Sequence, residues 1–370
     1  VLRLGRQAVD VAAVRDAVGA VVDPELQRPL GELDMIRGVT AGRNGRVEVE
    51  VALTTPGCPM TELLARDVAA AASTVPEIGY VRVNFTVMPE SERRALADRV
   101  LTHRDTGATA ASAVYAVASG KGGVGKSSVA ANLAVALART GKSVGLLDAD
   151  VWGYSVPQLF GVRRSPIAMY HTMFPVQAHG VRLMSLGFLT DEDEPVVWRG
   201  PMLHKALTQF VHDVHWGQLD VLLLDLPPGT GDVTLSVLEL LPDASLLAVT
   251  TPQQAARSVA SRVGVMARDM GMPIAGVVEN MSELVCPHCS GRSELFGAGG
   301  GQRLADELNA PLLGQIPLDA AMRAAGDSGV PVVSSAPESP SAQALIDVAA
   351  ALRPARRPLV GRSLGVQPVG

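Results

Sequence analysis

Residues Gly120-Lys121-Gly122-Gly123-Val124-Gly125-Lys126-Ser127-Ser128 decide the fold. They fit the pattern G-x-x-x-x-G-K-S/T, with an aliphatic run at 114–119 before them and an alanine-rich stretch of helical spacing after them. Glycines at these spacings let successive backbone N–H groups curl around an anion without Cβ clashes. The amino terminus of the following helix adds partial positive charge. In such a loop Lys126 reaches the β- and γ-phosphates of a nucleotide, and the Ser127 hydroxyl ligates Mg²⁺.

Working outward, short aliphatic runs alternate with helical stretches from Ala113 onward. The pattern predicts strands at 114–119, 143–147, 220–225, 245–250, 274–279 and 312–316. It predicts helices near 126–139, 201–214, 233–241, 255–270, 300–308 and 341–352. Continuous runs such as Val221-Leu222-Leu223-Leu224 suit strands buried on both faces. The expected class is therefore α/β, a mainly parallel sheet flanked by helices. A smaller α/β unit precedes it over residues 1–90. Its signals are a helix within 8–20, strict alternation at 46–53 behind an Asn44-Gly45 turn, a helix near 59–75 and a strand at 80–87. Residues 91–112 read as a linker, 113–352 as the nucleotide-binding domain and 353–370 as a disordered tail. No motif places residues 162–179.

Composition narrows the partners. The 370 residues carry a net charge of −5 with acids and bases interspersed, and no basic block of the kind that neutralises nucleic-acid phosphates. No run of 18 apolar residues predicts a membrane span, and the start lacks the pattern of a secretory signal. Only three cysteines occur, Cys58, Cys286 and Cys289, a poor disulfide framework that fits a reducing cytoplasm. His204, His212 and His215 have no carboxylate partners in the pattern and read as solvated or capping groups.

Two further strand ends carry acids. Leu146-Leu147-Asp148-Ala149-Asp150 and Leu222-Leu223-Leu224-Asp225 both close apolar runs, where α/β sheets place their ligands. Asp225 is expected to hold Mg²⁺, and Pro227-Pro228-Gly229-Thr230-Gly231 to sense the γ-phosphate. The lysine at position 121 resembles the signature of the deviant phosphate-loop ATPases. That resemblance implies that Lys121 crosses a dimer interface to the nucleotide of a second copy, that Asp150 orients the attacking water, and that Asn280 pairs with the adenine edge near Pro317-Leu318-Asp319.

Cys286-Pro287-His288-Cys289 is the other informative segment. Two thiolates do not complete a zinc site or a cluster, which normally need four ligands. A two-fold dimer would bring four together, enough for a 4Fe–4S cluster on the axis. By itself the spacing also fits a half zinc site, and a redox pair would be expected at the start of a thioredoxin-like helix, which this segment is not. The order of the loop with Lys121, Asp148-Ala149-Asp150, Val197-Trp198-Arg199-Gly200-Pro201-Met202, Asp225 to Asp232, Thr251-Pro252-Gln253, Glu279-Asn280-Met281-Ser282 and the cysteine pair resembles the Mrp/ApbC family of iron–sulfur cluster carriers over about 113–350. The front unit, with Asp23-Pro24-Glu25 and Thr55-Pro56-Gly57-Cys58-Pro59, resembles the SufT-like domain that bacterial members carry. The resemblance implies a homodimer that binds and hydrolyses ATP and passes a cluster to apoproteins, with assembly factors as further partners. Cys58, at an expected helix start, reads equally as an assembly residue or a buried structural thiol. A partition-type ATPase of the same fold would need an amphipathic carboxy-terminal helix or a basic surface. An ATP-driven electron donor would place its ligands as two widely separated cysteines per subunit.

Overall fold

The computed structural model describes residues 9–55, 60–100, 108, 111–150, 153–169, 172–189, 200–286, 288–289 and 291–353. Cys58, the Val197-Trp198-Arg199 segment, Pro287 and the expected disordered tail beyond Arg353 lie outside them. The described residues form two compact units. One comprises those of Val1–Thr106, Arg164–Gln177 and Asp213–His215, and the other those of Gly107–Arg163, Ala178–His212 and Trp216–Gly370.

The first unit opens with α1 (Val11–Gly19), capped by the Asp10 carboxylate, which accepts the Ala12 and Ala13 N–H groups at 3.0 and 3.1 Å. Strands β1 (Ile36–Ala41) and β2 (Arg46–Leu53) pair antiparallel. Asn44 takes φ 61° in the turn between them. A Cβ at the next residue, Gly45, would lie 2.2 Å from the Glu77 carbonyl oxygen. Helix α2 (Thr61–Ala72) then carries the chain to β3 (Tyr80–Val87), parallel to β2. The buried face of β2, Val47, Val49 and Val51, packs with Leu64 and Val68 of α2 in one core.

Helix α3 (Glu90–Val100) occupies the first half of the stretch read as a linker, and its Leu96 and Ala97 join that core. Its sequence is dominated by charged residues, with too few apolar positions to reveal a buried stripe.

The second unit starts with β4 (Ala113–Ser119), α4 (Lys126–Arg139), β5 (Val144–Asp148) and the short α5 (Val156–Leu159). Two small strands, β6 (Ile167–Met169) and β7 (Thr172–Phe174), pair antiparallel and belong to the first unit, where Ile167 and Phe174 enter the core. The short β8 (Val176–Ala178) falls mostly in the first unit as well, and the second resumes with β9 (Val181–Ser185), α6 (Gly200–His212), β10 (Val221–Asp225), α7 (Asp232–Leu240), β11 (Ser245–Thr250) and α8 (Gln254–Asp269). The unit ends with β12 (Ile274–Val285), β13 (Arg292–Ser293), α9 (Gly300–Leu308), β14 (Leu312–Leu318), α10 (Ala320–Ser328), α11 (Val332–Ser335) and α12 (Pro340–Ala351). Its sheet runs β9–β5–β10–β4–β11–β12, with β13 and β14 both paired to β12. Strands β9, β5, β10, β4, β11, β12 and β14 are parallel, and β13 is antiparallel to β12.

The fold is the α/β class expected, a P-loop NTPase sheet. Every residue of β5, β10 and β11 is buried, as continuous apolar runs require. Chain order reverses around β4, which has β10 on one side and β11 on the other. That switch point gathers the carboxy-terminal ends of β4, β5 and β10, with Asp225 in register with Asp148. Helix α6 ends at His212, so His215 does not share its face; it belongs to the first unit, its ring 5.3 Å from that of Phe174.

Candidate nucleotide site and cysteine hairpin

The loop from Gly120 to Gly125 leaves β4 and enters α4 directly. Gly123 and Gly125 take φ 81° and 78°, the left-handed region that favours glycine. At Gly120 a Cβ would lie 2.2 Å from the Ala260 nitrogen, because α8 packs against the start of the loop. At Gly125 it would lie 2.3 Å from Nδ2 of Asn280. No side chain caps α4, so none occupies the N–H groups at its start. The loop is held from beneath: the Gly229 N–H donates to the Ser119 carbonyl at 2.8 Å, and the Ser119 hydroxyl to the Lys121 carbonyl at 3.1 Å.

Lys126 is the charge centre. Its Nζ lies 2.5 Å from Oδ1 of Asp225, 3.8 Å from Oδ2 of Asp150 and 3.4 Å from the Ser127 hydroxyl. Lys126, Asp150 and Asp225 are buried, Asp225 with no exposed surface, and Ser127 is half-buried. The second carboxylate oxygen of Asp225 is buried without a hydrogen-bond partner among the described residues. An orphaned anionic oxygen beside a hydroxyl is a donor set that suits a hard divalent cation, so Ser127 and Asp225 fit Mg²⁺.

Asp148 is a residue that sequence reasoning passed over. Its Oδ1 accepts the Asp150 N–H at 3.1 Å, and its Oδ2 accepts the Val156 N–H at 3.3 Å and the Ser185 hydroxyl at 3.0 Å. Asp148 thus fixes the backbone that presents Asp150. Burial, joined by the negative charge of Asp225, pushes its carboxyl up to about 8. Burial favours the protonated form of both Asp148 and Asp225, so the two buried acids share their negative charge beside Lys126. The Asp-Ala-Asp spacing was the available signal, but spacing alone does not say which acid is buried.

Lys121 and Asn280 meet partners within the chain. The Lys121 ammonium donates to Oε1 of Gln253 at 3.1 Å, just ahead of α8. The Asn280 amide donates to the Val124 carbonyl at 2.9 Å and is itself buried, so it braces the loop from β12. The neighbouring Glu279, fully buried, accepts the Gly301 N–H and, at 2.6 Å, the Gln315 amide. Asp319 caps α10 through the Ala321 N–H at 2.9 Å and accepts the Ser341 hydroxyl of α12 at 2.9 Å.

Strand β12 continues past its expected end at Glu279. Met281 takes φ 55°, the pairing with β14 shifts between Asn280 and Leu284, and the strand then pairs with β13. The Cys286 N–H donates to the Gly291 carbonyl at 2.9 Å, so the cysteine pair sits at the tip of a hairpin. Both thiols are free, Cys289 exposed and Cys286 partly so. The His288 and Cys289 N–H groups, with the Cys289 side chain, pull the Cys286 thiol below its ordinary range toward the metal-binding thiolate. Among the described residues no group of three or more His, Cys, Asp and Glu could hold a metal. The hairpin therefore offers two ligands and not four.

Comparison with known proteins agrees with this architecture. Residues 110–353 match the family model of the NUBPL iron-transfer P-loop NTPases, and residues 11–85 that of an iron–sulfur cluster assembly protein. The iron–sulfur cluster carrier protein of Mycobacterium tuberculosis is 48% identical over 371 residues, covering 96% of this chain and 97% of its own. That of Bacillus subtilis is 43% identical over 316 residues, 82% of this chain and 87% of its own. Among solved structures, a nucleotide-binding protein from Archaeoglobus fulgidus in complex with ADP is 38% identical with a TM-score of 0.53. It covers 59% of this chain and 86% of its own. The cell-division ATPase MinD of Pyrococcus furiosus, 24% identical with a TM-score of 0.50 over 65% of this chain and 98% of its own, shares the fold. A phosphate loop with a second lysine, two acidic strand ends beside it and this breadth of similarity lead to one assignment: the chain belongs to the NUBPL-type iron-transfer P-loop NTPases.

Proposed function

We propose that this protein is an ATP-hydrolysing carrier that holds an iron–sulfur cluster, of the 4Fe–4S type, between two copies of the chain and passes it to apoproteins in the cytoplasm. One observation carries the reading. Strand β12 touches the phosphate loop through Asn280 and Val124, and six residues later it delivers Cys286 to a hairpin tip. At strand rise that is about 20 Å of continuous backbone between nucleotide loop and thiol. A change in the loop thus has a mechanical route to the cluster ligands.

The chemistry follows from the charge centre. Lys126 is shared between Asp225 and Asp150, and an incoming β,γ-phosphate competes for it. Drawing Lys126 onto phosphate leaves Asp150 able to accept a hydrogen bond from water and Asp225 with both oxygens available. Mg²⁺, held by Ser127 and Asp225, supplies neutralisation of phosphate charge. Lys121 contributes a cation to the nucleotide of the second copy once it leaves Gln253. Two thiols per chain make the cluster site a half-site, so both functions need the same pairing.

Anaerobic reconstitution of wild type and Cys286→Ala, read by absorption and Mössbauer spectra, tests this. About one cluster per dimer is expected in wild type, and its loss in the variant. Identical spectra from the two proteins would overturn the cluster assignment. Equal rates of cluster delivery from ATP- and ADP-bound forms would overturn the coupling.

A further inference from the structure

Helix α8 has two faces. Ala256, Ala260, Val263, Gly264 and Ala267 point inward, and Gly264 leaves no room for a Cβ, which would lie 2.4 Å from Leu308. The opposite face lines a shallow groove of about 430 Å³ with Leu235 of α7. Along it run Arg262, Val265, Met266 and Asp269, the i, i+3, i+4, i+7 stripe of one helix face. Val265 keeps 45% of its surface exposed, and Met270, beside the end of the stripe, 41%. Arg257, nearer the start of the helix, is paired with Glu307 at 2.7 Å. Arg262 and Asp269 have no ion-pair partner among the described residues.

The stripe is complementary to itself. Its midpoint falls between Val265 and Met266, and its two ends carry opposite charge. A second α8 laid antiparallel about a two-fold axis through that midpoint sets Arg262 against the partner's Asp269 and Asp269 against the partner's Arg262. The same operation sets Val265 against the partner's Met266. An isologous contact needs a self-complementary patch, and this stripe is one. We infer that the exposed stripe of α8 is a self-association surface that docks a second copy of this chain in antiparallel register. It lies in the carboxy-terminal half of the helix, whereas Val259 and Ala260 lie against the phosphate loop at Gly120. The inference rests on the stripe itself and not on the pairing proposed for the nucleotide and cysteine sites. A stripe of four residues a side is far below the size of a stable interface and gives weak, concentration-dependent association.

Sedimentation equilibrium of the full chain tests the surface, in the nucleotide-free, chelator-treated and thiol-reduced state so that neither shared site contributes. Wild type, Arg262→Asp, Asp269→Arg and the double exchange are compared across a concentration series, with ATP binding of each as the check on folding. Each single exchange opposes like charges at both ends of the contact and weakens association by about tenfold or more. The double exchange restores opposite charges and returns association to within a few-fold of wild type. Wild type monomeric throughout, single variants that associate as wild type, or a double variant no tighter than the singles would each overturn the inference.

Discussion

Lys121 is held within its own chain by Gln253, 3.1 Å away through a neutral amide oxygen that the Thr251 hydroxyl also approaches at 3.5 Å. A hydrogen bond to an uncharged acceptor on a partly exposed lysine is easily exchanged for one to an anion, which suits a residue that leaves to meet a nucleotide. Gln253→Glu replaces the uncharged acceptor with a carboxylate and so turns the hydrogen bond into an ion pair that holds Lys121 more tightly. Steady-state ATP turnover is expected to fall by about tenfold, equivalent to ~1.4 kcal/mol, while the affinity of the chain for nucleotide stays the same. Gln253→Ala should not slow turnover. Unchanged turnover in the Glu variant would mean that Lys121 need not leave. The sequence made Lys121 conspicuous, because a second lysine in a phosphate loop has no local task. It marked Gln253 only as part of a family segment and gave it no task, because Gln253 is 132 positions away and becomes a neighbour only because β11 lies beside β4. Asp148 was hidden for a similar reason: its significance lies in its complete burial and its contact with Ser185, both products of tertiary packing.

Among the elements, those with continuous apolar runs were legible because burial on both faces leaves little freedom of composition. Strand β12 shows where this stops. Glu279-Asn280-Met281-Ser282-Glu283 is polar enough to read as a strand end, yet the positive φ at Met281 acts as a bulge that lets pairing resume toward Cys286. Asp319 joins elements in a comparable way, tying the start of α10 to α12 through Ser341, which is fully buried. Burial opposes its charge, but the hydrogen bonds from Ala321, Ser341 and Ser339 together hold its carboxyl below the usual 3.8. Its contribution is therefore present above that value and lost as pH falls through the lowered one. Asp319→Ala removes a cap and strands a buried hydroxyl, for a loss of about 2 kcal/mol. Asp319→Asn keeps an acceptor for the cap and should lose about half as much. Urea denaturation at neutral pH checks both, and equal losses in the two variants would show that the charge matters more than the cap.

For the molecule as a whole, the chain does not divide at a single point. The sequence suggested a boundary near residue 90 because composition changes there. The front unit nevertheless recruits Arg164–Gln177 and Asp213–His215 from far downstream. Met173 and its neighbours hold the two segments together: the Met173 N–H donates to the Asp213 carbonyl at 2.9 Å, and the His215 N–H to the Met173 carbonyl at 2.8 Å. Residues 162–179 had no readable motif because their short strands find their core among residues more than sixty positions earlier. Phe174, 2% exposed, is the largest side chain that they add to that core. Phe174→Ala should therefore destabilise the front unit by about 3 kcal/mol, the usual cost of emptying a buried aromatic site. Hydrogen exchange on the full chain locates the damage. Amides of β2, in the front unit, should lose protection, while those of β10, in the nucleotide-binding unit, keep theirs. Loss of protection in β10 with β2 unchanged would assign Phe174 to the other core. Its downstream position would then be a matter of sequence neighbourhood and not of recruitment. The predicted pattern would instead mean that a fragment cut near residue 112 lacks part of its own core, and that the front unit is best studied in the intact chain.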